Sequence, residues 1–268
     1  MPNAGQQVDL PASPPAGTVA RTLRMLQALA EADDGVTVAG LASQMGLPSS
    51  TVHRLLQLLR TDGFVEIEAT SHSYRAGPEL LRVAALLAGK QSIATIARPV
   101  MERIVATCGE TCLLGVYLPY ARKMAFAEQV KSPHALRFEI PCNVQLPVVW
   151  GSSGRVMLAY LPDDEVRAVL AEAEPSPVTG ETIDEAVYFE RLRQIRSRGS
   201  DFTRGEKLAD SIGIAAPVFQ GDRGAIASLT VTVPIVRFRN ADTRRLTELV
   251  VNGAAELSKT LGHAPTST

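Results

Sequence analysis

Six side chains in one short stretch, Ser49, Ser50, Thr51, His53, Arg54 and Gln57, are of types that suit duplex DNA. Ser and Thr hydroxyls can reach phosphates or base edges, Arg can pair bidentately with guanine, and Gln can pair with adenine. Val52, Leu55, Leu56 and Leu59 interleave with them at helical spacing, so the polar set falls on the outer face of a helix whose other side is core. The helix start offers unpaired N–H groups and the positive end of a dipole, both favourable to phosphate. His72, Ser73 and Arg75 follow at or near the tip of a hairpin, where they could touch the backbone or enter a minor groove, and Arg21 and Arg24 on a preceding helix could meet phosphates. A plainer reading stands beside this one. Ser-Ser-Thr is also an ordinary N-cap cluster, and His53 and Arg54 can simply be solvated. Residues 18–77 hold five Arg, no Lys and six acidic residues, a formal charge of about −1 from five minus six, which suits a protein-binding winged helix as well as a DNA-binding one.

Cys108, Cys112 and Cys142, with His134, raise the alternatives of a thiol nucleophile, a metal site or a redox switch. Cys108 and Cys112 are separated by three residues across a helix-to-strand turn at Gly109, and no second ligand pair follows, so the spacing fits no common zinc pattern. Free Cys is mostly a small buried hydrophobe. A redox switch needs an exposed, low-pKa thiol beside a cation, and Arg103 is the only candidate cation on the preceding helix. The sequence has no G-x-S-x-G, P-loop or H-E-x-x-H pattern. No catalysis, no cofactor and no metal is expected.

The elements that must position the polar stretch can be read around it. Residues 1–17 are rich in Pro, Ala and Gly without periodicity and read as a disordered tail. Thr18 can cap a helix in which Val19, Leu23, Leu26 and Ala30 form an apolar stripe widened by Met25 and Leu29. Thr37 is a natural N-cap for a second helix with Val38, Leu41, Ala42 and Met45 on one face. Gly46 breaks it, Leu47 plugs the core and Pro48 opens the third helix, which Asp62-Gly63 closes. FVEIE, a turn at ATSHS and SYRAG then make a small hairpin, the wing. Residues 78–92 read as a linker helix whose apolar face exceeds what a small first domain needs, as at a dimer surface. A helix with Pro99 inside follows, expected to break or kink there.

From Glu110 the chain changes character. TCLLGVYL, KMAFAEQV and LRFEI read as strands, helices are expected at SSGRVMLAYL, DDEVRAVLAEA and DEAVYFERLRQIRSRG, and IGIAAPVF and AIASLTVTVP flank a hairpin turn at GDRG before a last helix over 242–261. The fold class is therefore α+β: an N-terminal winged helix-turn-helix over 18–77 and a C-terminal α+β domain over 93–262 with a mainly antiparallel sheet, then a flexible tail over 263–268. The chain has 268 residues, 46% hydrophobic and 21% charged, with net charge −1, so nothing global draws it to nucleic acid or membrane and any DNA affinity must be local. No signal peptide or bilayer-length apolar run is visible, and a cytoplasmic protein with no membrane partner is expected.

On these residues the chain resembles the IclR family of bacterial regulators. The N-terminal likeness runs through RTLRMLQALAEADDGVTVAGLASQMGLPSSTVHRLLQLLRTDGFVE and YRAGPELL. The C-terminal likeness includes ARPVMERIVATCGET, VKSPHALRFEIP, SSGRVMLAYLP, RSRGSDFTRGE, and GIAAPVF followed by ASLTVTVP. The resemblance covers about residues 18–262. It implies operator DNA as partner, a homodimer or tetramer, and repression or activation of neighbouring genes. It also implies a C-terminal effector domain whose curved sheet holds a small, often anionic or aromatic, metabolite. Carried across residue by residue, the effector pocket would be formed by Trp150, Gly151, Ser152, Ser153 and Gly154 at a helix start, by Thr203, Glu206 and Gly213, and by Thr230 and Thr232 on one strand face. Helix N–H groups suit a carboxylate, and strand hydroxyls can complete the shell. The chain departs from the family pattern at Val149-Trp150-Gly151-Ser152, where a His-Ala-Thr-like segment is usual, at Asn143, where Gly is common, and at Thr230 and Thr232, where Ser is frequent.

Overall fold

The computed structural model describes residues 17–32, 34–68, 71–88, 92–221 and 223–263. The chain forms two compact units, 1–90 and 91–268. The tail expected over 1–17 lies outside the described residues apart from Gly17, as do Ala69 and Thr70 of the wing turn, Gly89 to Gln91 of the linker stretch, and Asp222 of the GDRG turn.

The first unit is built from α1 (Thr18–Glu31), α2 (Val38–Met45), α3 (Ser49–Thr61), β1 (Val65–Ile67), β2 (Tyr74–Ala76) and α4 (Pro78–Ala88). Gly17, not Thr18, occupies the cap of α1, and it makes no side-chain capping bond. The buried stripe of α1 is Met25, Ala28 and Leu29, while Val19 is 74% and Leu23 57% exposed. Ala30 is exposed too, which corrects the expected stripe. The helix has more apolar positions than one face, and only the Met25 side meets Leu41, Met45, Val52, Leu55 and Leu56. Thr37 caps α2 by accepting from the Gly40 N–H, and Gly46 ends it in the left-handed region with φ 62°. The Pro48 carbonyl accepts from the N–H groups of Thr51 and Val52, starting α3. β1 and β2 pair antiparallel, Val65 opposite Ala76. A bridge between Val36 and Tyr74 ties the wing to the segment before α2. On α4, Leu81, Leu86 and Leu87 are exposed.

The second unit runs α5 (Ile93–Cys108), β3 (Thr111–Leu118), β4 (Lys123–Val130), β5 (Leu146–Pro147), α6 (Ser152–Leu158), α7 (Asp163–Ala171), α8 (Glu185–Arg198), β6 (Asp201–Arg204), β7 (Ser211–Gln220), β8 (Arg223–Pro234) and α9 (Thr243–Thr260). α5 continues through Pro99 without the expected break. Among the described residues six strands form one antiparallel sheet in the order β5-β4-β3-β8-β7-β6, curved into a half-barrel. Strand alternation sends Ala227, Leu229, Val231 and Val233 of β8 against α5 and α9. Leu113, Met124, Phe126 and Ala215 face the other way, toward α6, α7 and α8.

Two expectations are corrected here. LRFEI is not a strand; side chains hold it instead, with Thr111 donating to the Phe138 carbonyl and Arg237 to that of Leu136. The strand that does cap this edge is β5, and β6, which forms the opposite edge, was not foreseen. His263, expected in a flexible tail, is docked: its ring stacks on Phe219 with centroids 4.8 Å apart, and its Nδ1 lies 2.8 Å from the Gly221 carbonyl. No helix among the described residues is long and apolar enough to cross a membrane.

Candidate nucleic-acid interface and effector face

Helix α3 has one buried side and one exposed side, the exposed side including Leu58. Val52, Leu55 and Leu56 are sealed into the core, whereas Ser49, Ser50, His53 and Arg54 are exposed and Thr51 is half-buried. Arg54 has no ion-pair partner among the described residues. Gln57 is less free: its Nε2 donates to the Tyr74 hydroxyl at 3.3 Å and lies 3.4 Å from His53 Nε2, so it braces α3 against the wing. His72 is exposed at the wing, with φ 52°. Ser73 is corrected: it is only 5% exposed, and its hydroxyl meets Ser71 Oγ at 2.7 Å and the Asp34 carbonyl at 3.4 Å. It anchors the base of the wing and has no open side for a ligand. Arg75 is exposed but paired with Glu68. Arg21 and Arg24 are half-buried on α1. Arg60, in the last turn of α3, is an exposed cation that sequence reasoning passed over; its place seven and six residues after His53 and Arg54 on an amphipathic helix was the available signal.

In the second unit the expected effector residues converge. The short helix α6 packs against β3, β6, β7 and β8 at once, which requires the sheet to wrap around it and makes this its concave side. Thr230 donates to Ser153 Oγ at 3.2 Å across that face. Gly213 and Gly154 are required by closeness: a Cβ on Gly213 would lie 2.8 Å from both Ser152 Oγ and Thr203 Oγ1, and one on Gly154 would overlap the Val148 carbonyl. Thr203 and Thr232 are buried, and Thr232 stands opposite Gly213. Trp150 is half-buried and donates from Nε1 to the Glu174 carbonyl at 3.0 Å. The Tyr188 hydroxyl, its pKa raised by burial, fixes the Val149 carbonyl at 2.9 Å. Asn143 adopts φ 61°, the left-handed conformation that explains a position where Gly or Asn fits. Cavities of about 380 Å³ beside α9 and about 560 Å³ beside α8 are lined by other residues.

Glu206 has a different role from the one expected. Arg155, 2% exposed, donates from Nε to Asp201 at 2.7 Å and from Nη1 to Glu206. Arg191 reaches the same two carboxylates at 3.4 and 3.2 Å. Burial opposes the Arg155 charge, but Asp201 and Glu206 outweigh it and the guanidinium pKa is raised. The Glu206 carboxylate is thus committed to two cations. Arg155 itself was missed, although a lone charge directly before Val-Met-Leu on an apolar helix was a visible signal. Lys207, the next residue, was also missed. It is half-buried, with Nζ donating to the Pro147 carbonyl at 2.9 Å and lying 3.2 Å from Met124 Sδ, and burial lowers its ammonium to about 7. The three cysteines do not form a site. Cys112 is buried, Cys108 and Cys142 are partly so, and burial raises all three thiols, opposite to what a reactive thiol needs. Among the described residues no cluster of His, Cys, Asp and Glu could hold a metal.

Comparison with known proteins agrees with this arrangement. Residues 18–68 match the model of the IclR helix-turn-helix domain, and residues 85–259 that of the bacterial transcriptional regulator IclR C-terminal domain. The transcriptional repressor IclR of Escherichia coli (strain K12) is 26% identical over 253 residues, 94% of this chain and 92% of that protein. A crystal structure of an IclR transcriptional regulator from Silicibacter sp. TM1040 matches with TM-score 0.82 and 26% identity, covering 92% of this chain and 97% of that one. An IclR homologue from Microbacterium hydrocarbonoxydans, complexed with 4-hydroxybenzoate, matches with TM-score 0.76 and 23% identity over 92% of this chain and 99% of that one. The two domain matches follow one another along most of the sequence, and the chain belongs to the IclR family of bacterial DNA-binding transcriptional regulators.

Proposed function

We propose that this regulator binds a pseudo-palindromic operator through the outer edge of α3, with Ser49, Ser50, Thr51, His53 and Arg54 contacting DNA. Arg21, Arg24, His72 and Arg75 contact the backbone, and Gln57 acts as a brace that can also reach a base. It acts in the cytoplasm as a homodimer or tetramer, repressing or activating genes near its operator. A small carboxylic or aromatic acid on the concave face of the second unit modulates its DNA affinity, held by Trp150 to Gly154, Thr203, Gly213, Thr230 and Thr232. The observation that carries the DNA reading is the polarity of α3: Val52, Leu55 and Leu56 are buried in the core, while Ser49, Ser50, His53 and Arg54 remain exposed. Self-association is supported by the unpartnered Val19 and Leu23 on α1 and by Leu81, Leu86 and Leu87 on α4, apolar side chains that solvent would not favour. The acid class is supported by the buried hydroxyls around α6 and by a family relative's complex with 4-hydroxybenzoate.

Selection of bound duplexes from a random pool, followed by footprinting, tests the DNA reading. The expected result is a two-fold-symmetric site with half-sites about one helical turn apart. Uniform binding to all sequences would remove it. A thermal-shift screen of carboxylic and aromatic acids tests the effector reading, since a ligand of the folded form raises the melting point.

A further inference from the structure

The loop between β6 and β7 belongs to one edge of the sheet, yet Lys207 in that loop touches β4 and β5 at the other edge. Its stem passes under Gly151, where a Cβ would come within 3.2–3.3 Å of the Lys207 Cβ and Cδ. Its ammonium sits 5.8 Å from the centroid of the Phe126 ring. The side chain therefore lies across the concave face. No carboxylate lies within ion-pair distance of Nζ among the described residues, whereas the preceding Glu206 is paired twice. A neutral carbonyl, a thioether and a ring are weak company for a cation taken out of water.

An unsatisfied group lies on the other side of Met124. Ser228 continues the Thr230 and Thr232 stripe of β8; it is fully buried, and its Oγ has no hydrogen-bond partner. The space above Gly115 brings Ser228 Oγ and the Met124 methyl group together: a Cβ there would lie 2.6 Å from the first and 2.9 Å from the second. Met124 is flexible and unbranched, so it can yield its place.

We propose that Lys207 and Ser228 form a carboxylate-binding pair on the concave face, occupied when a small acid displaces Met124 and replaces the Pro147 carbonyl as the partner of Nζ. This rests on the reading of that face as the effector site and adds the group that selects charge. The lowered ammonium pKa agrees with a cation that lacks a counter-charge in this state. Binding then takes up a proton onto Nζ, because the acid's negative charge favours the ammonium.

The test uses the full chain with acetate, benzoate and 4-hydroxybenzoate as probes, each beside its uncharged amide. Selective acylation of wild-type Lys207, read by mass spectrometry, should slow several-fold with a binding acid and stay unchanged with the amide. Lys207→Met should weaken acid binding about tenfold or more and leave any amide binding as it was, with Ser228→Ala showing a smaller loss. Acids that stabilise wild type and Lys207→Met alike, without protecting Lys207 from acylation, overturn the pair and leave the effector reading standing. Failure of every acid to bind wild type removes both. The acylation measurement needs no variant, so a poorly folded Lys207→Met does not block the decision.

Discussion

Arg54 concentrates the recognition question in one side chain, since it is exposed on α3 and carries a charge that no described residue neutralises. If it reads a base, Arg54→Ala should weaken specific binding by about 1–3 kcal/mol and relax preference at one operator position. A footprint of unchanged strength and position would assign Arg54 to solvent. Arg155 is the opposite case, a cation with almost no exposure that closes a four-membered ion network with Asp201, Glu206 and Arg191. Removing one member of a buried pair leaves uncompensated charge, typically at a cost of about 3–5 kcal/mol. Arg155→Met should therefore lower the melting temperature of the second unit strongly; Arg191 stays beside both carboxylates and sets the loss toward the lower end. A melting point equal to wild type would show that the network adds nothing to stability. At this scale the sequence was legible where residue type and helical spacing together decide exposure, as for Arg54 on the outer side of α3. It was not legible where partners come from distant segments. Glu206 reads as a pocket carboxylate until Arg155 and Arg191 are found on it, and Ser73 reads as a wing-tip hydroxyl until the Asp34 carbonyl is found beneath it.

Local chemistry made several elements readable in advance. Thr37 as cap, Gly46 as left-handed stop and Asp62-Gly63 as terminator fix α2 and α3 from nearest neighbours, and the strands β3, β4, β7 and β8 carry β-branched or alternating apolar runs. The misses are the elements decided by tertiary context. LRFEI has strand composition but no strand partner, while β6 is too short to announce itself and exists because β7 offers it an edge. The stripe on α1 was misassigned because periodicity cannot tell a core face from an apolar face left for another partner. Gly46 offers a clean test of local coding. Nothing lies within 4 Å of a Cβ built there, so Gly46→Ala meets no collision and carries only the cost of φ 62°, about 1–2 kcal/mol. Denaturant unfolding of the full chain should register that loss in the N-terminal unit. Gly46→Asn should recover part of it, since Asn tolerates the left-handed region better. Equal stability of the Ala variant would mean that the turn relaxes away from the left-handed geometry.

At the scale of the whole molecule, regulation requires that a ligand on the second unit change the DNA affinity of the first. It can do so only by as much as it discriminates between two arrangements of the assembly. Thr232 offers a way to separate the ligand step from the DNA step. It is buried on the concave face opposite Gly213, in the domain distinct from the one that carries α3, and it takes no part in the Arg155 network. Thr232→Phe crowds the proposed effector face beside Gly213. The expected outcome is operator affinity equal to that of the unliganded wild type, together with loss of any change in affinity that an acid causes in wild type. Affinity measured by gel shift across an acid titration, with far-UV circular dichroism to verify folding, reads both halves. A variant that still responds at the wild-type acid concentration would move the effector off this face. Lost DNA binding in a folded variant would instead show that the face acts on α3 without any ligand, because the bulk at position 232 would then shift the arrangement by itself.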